Sequence, residues 1–143
     1  MTNTDKIVDI NHNKKVAEKL QQFLDQSYQT LAVTQNLHWN IEGDAFYSLH
    51  KLTEEIYDEQ FAAIDELAER LRALGHNAYI NNVSSNSEVT ANDAIAAQEA
   101  SAQAAQELIE AAQEIGDEGT TDLAIARQQV HQKNAWMLKS QSK

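Results

Sequence analysis

A chain of 143 residues with no cysteine, no proline and only four glycines amounts to one domain, and it excludes a disulfide framework and thiolate metal chemistry. Abundant alanine, glutamine, leucine and glutamate argue for an all-α protein long enough to bury a four-helix core. The formal net charge of −11 opposes contact with nucleic-acid phosphate and favours attraction of cations. No signal peptide or bilayer-length apolar run stands out, so a cytoplasmic location is expected.

Residues 1–11 are polar and mixed in sign, and are expected to be a mobile N-terminal arm. A bundle follows over 12–140, and 141–143 make a short C-terminal tail. Over 13–40 the spacing of Val16, Leu20, Phe23, Leu24, Ser27 and Leu31 predicts a first helix, with His38 and Trp39 at its end. Residues 40–44 make a turn, with Gly43 free to take a positive φ and Asp44 as the expected N-cap. So short a turn makes the two helices antiparallel neighbours and brings His38 near His50. The second helix then runs to Leu74 and stops at Gly75.

On that second helix, Glu54, Asp65 and Glu69 fall at about 40°, 60° and 100° from His50, all on one face. Leu49, Leu52, Ile56, Leu67, Leu71 and Leu74 take roughly the opposite face. Histidine nitrogens with carboxylate oxygens suit non-haem iron or a similar first-row metal. A solvated acidic face with an incidental histidine would explain any one of these residues, but not five on consistent faces. The midpoints of His50/Glu54 and Asp65/Glu69 lie about 22 Å apart along the helix, so one metal centre cannot use both pairs from one chain. An antiparallel copy related by a two-fold axis near Gln60 would bring them together, with Tyr57 and Phe61 as the apolar middle of the contact.

Residues 75–89 form a connection rich in asparagine and serine. The second helix is about 43 Å long and the connection reaches about 50 Å fully extended, so it crosses the bundle only if mostly extended. Thr90 and Asp93 read as a capping-box variant opening an alanine- and glutamine-rich third helix to Ile115. Residues 116–120 break the chain before a fourth helix, which runs to Leu138 with Leu123, Val130 and Met137 on one stripe. His131 stands alone, with a structural role expected, and Trp136, Met137 and Leu138 read as a core or interface anchor.

His38-Trp39-Asn40, Gly43, Phe46, Leu49-His50, Asp65 and Ala68-Glu69-Arg70 resemble the Dps family (DNA-binding proteins from starved cells), the mini-ferritins of the ferritin-like superfamily. Later matches are Gly116-Asp117-Glu118-Gly119-Thr120, Asp122-Leu123 and the run from His131 to Leu138. The resemblance implies a ferritin-like four-helix bundle with a long crossover between helices 2 and 3, assembled as a homo-oligomeric dodecamer around a hollow shell. It implies a ferroxidase that oxidises Fe(II), with hydrogen peroxide as the favoured oxidant, and stores ferric iron as mineral. The implied ligands are His38, His50 and Glu54 from one subunit and Asp65 and Glu69 from its neighbour, with Glu54 standing where the family generally has aspartate. Asp117 and Asp122 match positions that line three-fold pores for metal entry, though acids here also suit a helix N-terminus. Trp39 gains a role as a sink for stray oxidising equivalents.

An iron site inside one bundle would need Glu-x-x-His pairs, and none occurs. Lysine-rich arms bind DNA in this family, but here Lys6, Lys14 and Lys15 are set against Asp5 and Asp9, so direct DNA binding is expected to be weak or absent. The alternative functions are a nucleoid-associated, DNA-compacting protein with little ferroxidase activity, and a structural four-helix module without metal.

Overall fold

The computed structural model describes residues 2–141, and among them every regular element is helical. A short helix, α1 (Asn3–Ile7), precedes four long ones: α2 (Lys14–Asn40), α3 (Phe46–Ala73), α4 (Ala91–Glu114) and α5 (Glu118–Gln141). No helix among the described residues is long and apolar enough to cross a membrane.

Two apolar clusters fix the direction of each helix. One gathers Val16, Leu20 and Phe23 from early α2, Leu67 and Leu71 from late α3, Leu108 and Ala112 from late α4, and Ala124 from early α5. The other takes Val33 and Leu37 from late α2, Leu49 and Leu52 from early α3, Ala94 and Ile95 from early α4, and Leu138 from late α5. So α2 and α5 run one way while α3 and α4 run the other. Around the bundle, α2 lies between α3 and α4, and α5 closes the ring against α4 and α3. The small buried side chains Ala97, Ala105, Ala111 and Ala112 let the α4 backbone approach its neighbours closely. A reciprocal capping box of Thr90 and Asp93 starts that helix.

Parallel α3 and α4 require the chain to travel the length of the bundle between them, and residues 76–90 do so without a helical turn. The α2 side chains hold this strap: Gln21 donates to the Tyr79 carbonyl at 3.0 Å, and the Ser84 backbone N–H donates to Gln29 at 3.0 Å. At its start, Gly75 takes φ +91°, and the His76 N–H bonds back to the Leu71 carbonyl at 3.0 Å, which ends α3 in a left-handed turn that only glycine adopts at little cost.

Two local expectations are corrected. Asp44 does not cap α3: a turn from Phe46 N–H to the Gly43 carbonyl moves the start along, and Ala45 takes the cap position without a side-chain bond. The proposed arm over 1–11 contains a docked helix rather than free chain. Thr2 and Asp5 cap α1 reciprocally, and Ile7 is buried in the first apolar cluster. Asn13 is the tie, fully buried, donating to the carbonyls of Ile7 and Leu74 at 2.8 Å each and accepting from His76 Nε2–H at 2.7 Å. Asn13→Ala should therefore lower unfolding stability by about 1–3 kcal/mol, because buried backbone acceptors lose their donor. A denaturant midpoint equal to wild type would refute that role. Of the expected tail at 141–143, residues 142–143 lie outside the described residues, and Gln141 closes α5.

Candidate metal centre

The last turn of α2 and the first turns of α3 cross-clasp two histidines. His38 Nδ1 lies 2.7 Å from the His50 carbonyl, and His50 Nδ1 lies 2.8 Å from the His38 carbonyl. A carbonyl oxygen only accepts, so in each neutral ring the hydrogen sits on Nδ1 and the Nε2 lone pair is left for a ligand. Thr53 adds a second hold: its hydroxyl donates to the Leu49 carbonyl at 2.6 Å and lies 3.2 Å from His38 Nδ1. The two imidazoles stack with centroids 3.8 Å apart and planes 12° from parallel. Phe46 stacks on the outer face of His50 at 4.9 Å, while Tyr57 meets His38 edge-on at 5.1 Å. Rings packed this way, with one nitrogen tied, have little freedom to turn, which is what an oriented ligand needs.

The acidic members are arranged differently. Glu54 is half-buried one turn after His50, and Asp65 and Glu69 are exposed one turn apart further along α3. A hydrogen bond to Asp65, then the Asp65 charge, then burial and Glu66, hold the Glu69 carboxyl above its ordinary range. Two carboxyl groups that resist joint ionisation are relieved by a bound cation. Tyr57 is also pushed up, by burial and then by the charges of Asp58 and Glu54, so its phenol keeps its proton. Among the described residues no three histidine, aspartate or glutamate side chains of one chain come together to hold a metal. The chain brings His38 to His50, and Asp65 to Glu69, and leaves the two sets apart.

The remaining predicted residues divide. Trp39 is 63% exposed beside the clasp. Asp122 is exposed on α5. Asp117 is 1% exposed and fully engaged within the chain. Arg70 Nη2 donates to it at 2.9 Å, and Thr120 donates through its backbone N–H at 3.0 Å and its hydroxyl at 2.5 Å. Gly119 leaves room for that guanidinium, since a Cβ there would stand 2.9 Å from Arg70 Nη2. Thr53 went unnoticed in the sequence; a threonine three residues past a histidine carries no signal until the helices are paired.

The ferritin-like domain model matches residues 17–143. A DNA protection during starvation protein of Brevibacillus brevis is 30% identical over 118 residues, which cover 73% of this chain and 79% of that one. The chain belongs to the Dps family of ferritin-like proteins. The fold agrees with Dps of Thermosynechococcus elongatus at a TM-score of 0.83 and 30% identity, over 92% of each chain. Dps of Vibrio cholerae O1, described as a member of the ferritin-like diiron-carboxylate superfamily, superimposes with a TM-score of 0.81 at 27% identity, over 94% of this chain and 93% of that one. In this Dps chain the histidine clasp and the acid pair both lie within the matched region.

Proposed function

We propose that two copies of this chain meet across a two-fold axis to form paired centres that bind iron(II) as substrate and oxidise it. One copy supplies His38, His50 and Glu54, and the other supplies Asp65 and Glu69. The observation that carries this reading is the pair of imidazole Nε2 lone pairs left free by the carbonyl clasp, while among the described residues the chain gathers no three metal-type side chains of its own. An antiparallel α3 partner brings the acid pair opposite the clasp, and exposed Phe61 with half-buried Tyr57 gives the contact an apolar middle.

At such a centre two iron(II) ions each give one electron to hydrogen peroxide, whose O–O bond breaks to leave two hydroxides and no hydroxyl radical. The ferric product is stored as mineral in a hollow shell, with twelve copies the expected assembly, in a bacterial cytoplasm. Glu54 serves as a ligand one methylene longer than aspartate, Trp39 intercepts stray oxidising equivalents, and Asp122 is left as the acid available to a pore. His38→Ala should slow initial peroxide-driven iron(II) oxidation by at least the roughly 10–100-fold that loss of a supporting residue costs at metal sites. An unchanged rate in a correctly assembled variant would sink the reading.

Compaction of DNA as the main task is disfavoured by the net charge of −11 and by Lys15 being engaged with Glu114 at 3.0 Å. Duplex DNA should show no gel retardation at about 150 mM salt without bridging divalent cation. Clear retardation would restore the nucleoid reading.

A further inference from the structure

Thr53 is fully buried beside the clasp, and a buried hydroxyl has to place its single hydrogen. Three groups lie within its reach: the Leu49 carbonyl at 2.6 Å, the His50 carbonyl at 3.2 Å and His38 Nδ1 at 3.2 Å. Both carbonyls only accept, and the shorter contact takes the hydrogen. What Thr53 offers His38 is therefore an oxygen lone pair. His38 Nδ1–H is shared between two acceptors, the His50 carbonyl at 2.7 Å and the Thr53 hydroxyl. The opposite tautomer would set a nitrogen lone pair against the His50 carbonyl at that distance, with no hydrogen between them.

The two imidazoles are not held alike. His50 Nδ1 has one acceptor, the His38 carbonyl at 2.8 Å, but its ring has stacked partners in both His38 and Phe46. His38 stacks on His50 alone and meets Tyr57 edge-on. A single N–H···O bond lets a ring swing about that bond, and a stack lets it slide. A second acceptor at another point removes that freedom. Thr53 supplies at His38 the restraint that Phe46 supplies at His50. The fold asks little else of the hydroxyl. Within α3 the Leu49 carbonyl already accepts the Thr53 backbone N–H in the helical pattern, so loss of the hydroxyl strands no carbonyl. His38 Nδ1–H would still keep the His50 carbonyl.

We infer that Thr53 is a positioning residue, whose hydroxyl fixes the His38 ring so that the Nε2 lone pair stays aimed for a metal ion. It touches no substrate and acts only through His38. An acceptor on one imidazole nitrogen also makes the other a stronger donor to metal. The inference rests on the shared-centre reading, in which His38 is a ligand.

The test compares assembled Thr53→Val, which keeps the shape of the side chain, and Thr53→Ser, which keeps the hydroxyl, with wild type and His38→Ala. Cobalt(II) binding without oxidant is followed by calorimetry, and peroxide-driven iron(II) oxidation by initial rates. Thr53→Val should bind cobalt(II) about 10-fold or more weakly and raise the apparent KM for iron(II) in step, as losses of supporting groups at metal sites do. Thr53→Ser should recover most of that affinity. Melting temperatures should stay together, since no buried group loses its only partner. A Thr53→Val affinity equal to wild type, or a loss that serine does not restore, overturns the positioning role. If cobalt(II) binding falls in His38→Ala but not in Thr53→Val, the shared centre stands and this inference alone fails. If His38→Ala binds as wild type does, both fail. Should Thr53→Val not assemble, Thr53→Ala takes its place in the same comparison.

Discussion

Oligomers assembled from equal amounts of His50→Ala and Asp65→Ala chains should regain about a quarter of the wild-type rate of iron(II) oxidation by hydrogen peroxide, by the symmetry of an isologous contact. Each variant alone should be inactive at these centres, because every site then lacks one ligand. In a mixed pair, the site that combines the mutated His50 with the mutated Asp65 carries both defects. Its two-fold mate carries neither, since the His50→Ala chain lends its intact Asp65 to the intact His50 opposite. Random pairing makes about half the contacts mixed, and half the sites in those contacts are whole. A centre contained within one chain could not be repaired this way. Initial rates are compared for each variant, for a mixture of preformed oligomers and for a co-refolded mixture whose mixed composition is verified by mass. Activity that stays at the single-variant baseline after co-refolding rejects the shared centre.

The features legible in the sequence were those set by local periodicity. A four-residue step on one helix and a short glycine turn between two helices are enough to place His38 beside His50 and to turn the acids away from the core. Reach alone made the crossover extended. What escaped was settled by partners distant in sequence. The α1 segment is polar and brief, and it docks because Asn13 joins Ile7 to Leu74, 61 positions away from Asn13. Asp117 reads as an open acid until Arg70, 47 positions earlier, reaches it through the gap at Gly119. The buried polar residues of α5 defeat pattern reading for a related reason. Arg127, His131 and Asn134 occupy core-facing positions of α5 where a stripe would be apolar, so the helix looks weakly amphipathic and His131 looks incidental. Its bond to Gln98 spans 33 positions and exists only once α4 and α5 are packed.

Acid should destabilise wild type more steeply than a His131→Gln variant. The imidazole is fully buried, with Gln98, Asn134, Arg127 and the edge of Phe23 around it. Burial first and the Arg127 charge second push its folded pKa down to about 3, against 6.5 for a free histidine. The folded ring therefore stays neutral while the unfolded chain takes up a proton as pH falls below 6.5. Stability is at its full value above the unfolded pKa and drains away as pH falls toward the folded one. The slope approaches about 1.4 kcal/mol per pH unit, so the loss due to this residue near pH 4.5 is on the order of 2–3 kcal/mol. Every other ionisable group is common to both proteins and cancels in the comparison. Glutamine at 131 can still donate to the Gln98 oxygen but cannot bind a proton in this range. Denaturant midpoints at fixed protein concentration, between about pH 7.5 and pH 4.5, give the two slopes, concentration being held because assembly is linked to unfolding. Wild type should lose the extra 2–3 kcal/mol, roughly two pH units' worth of one proton. Parallel slopes would mean that His131 is protonated in the folded bundle, and that its surroundings stabilise the imidazolium rather than exclude it.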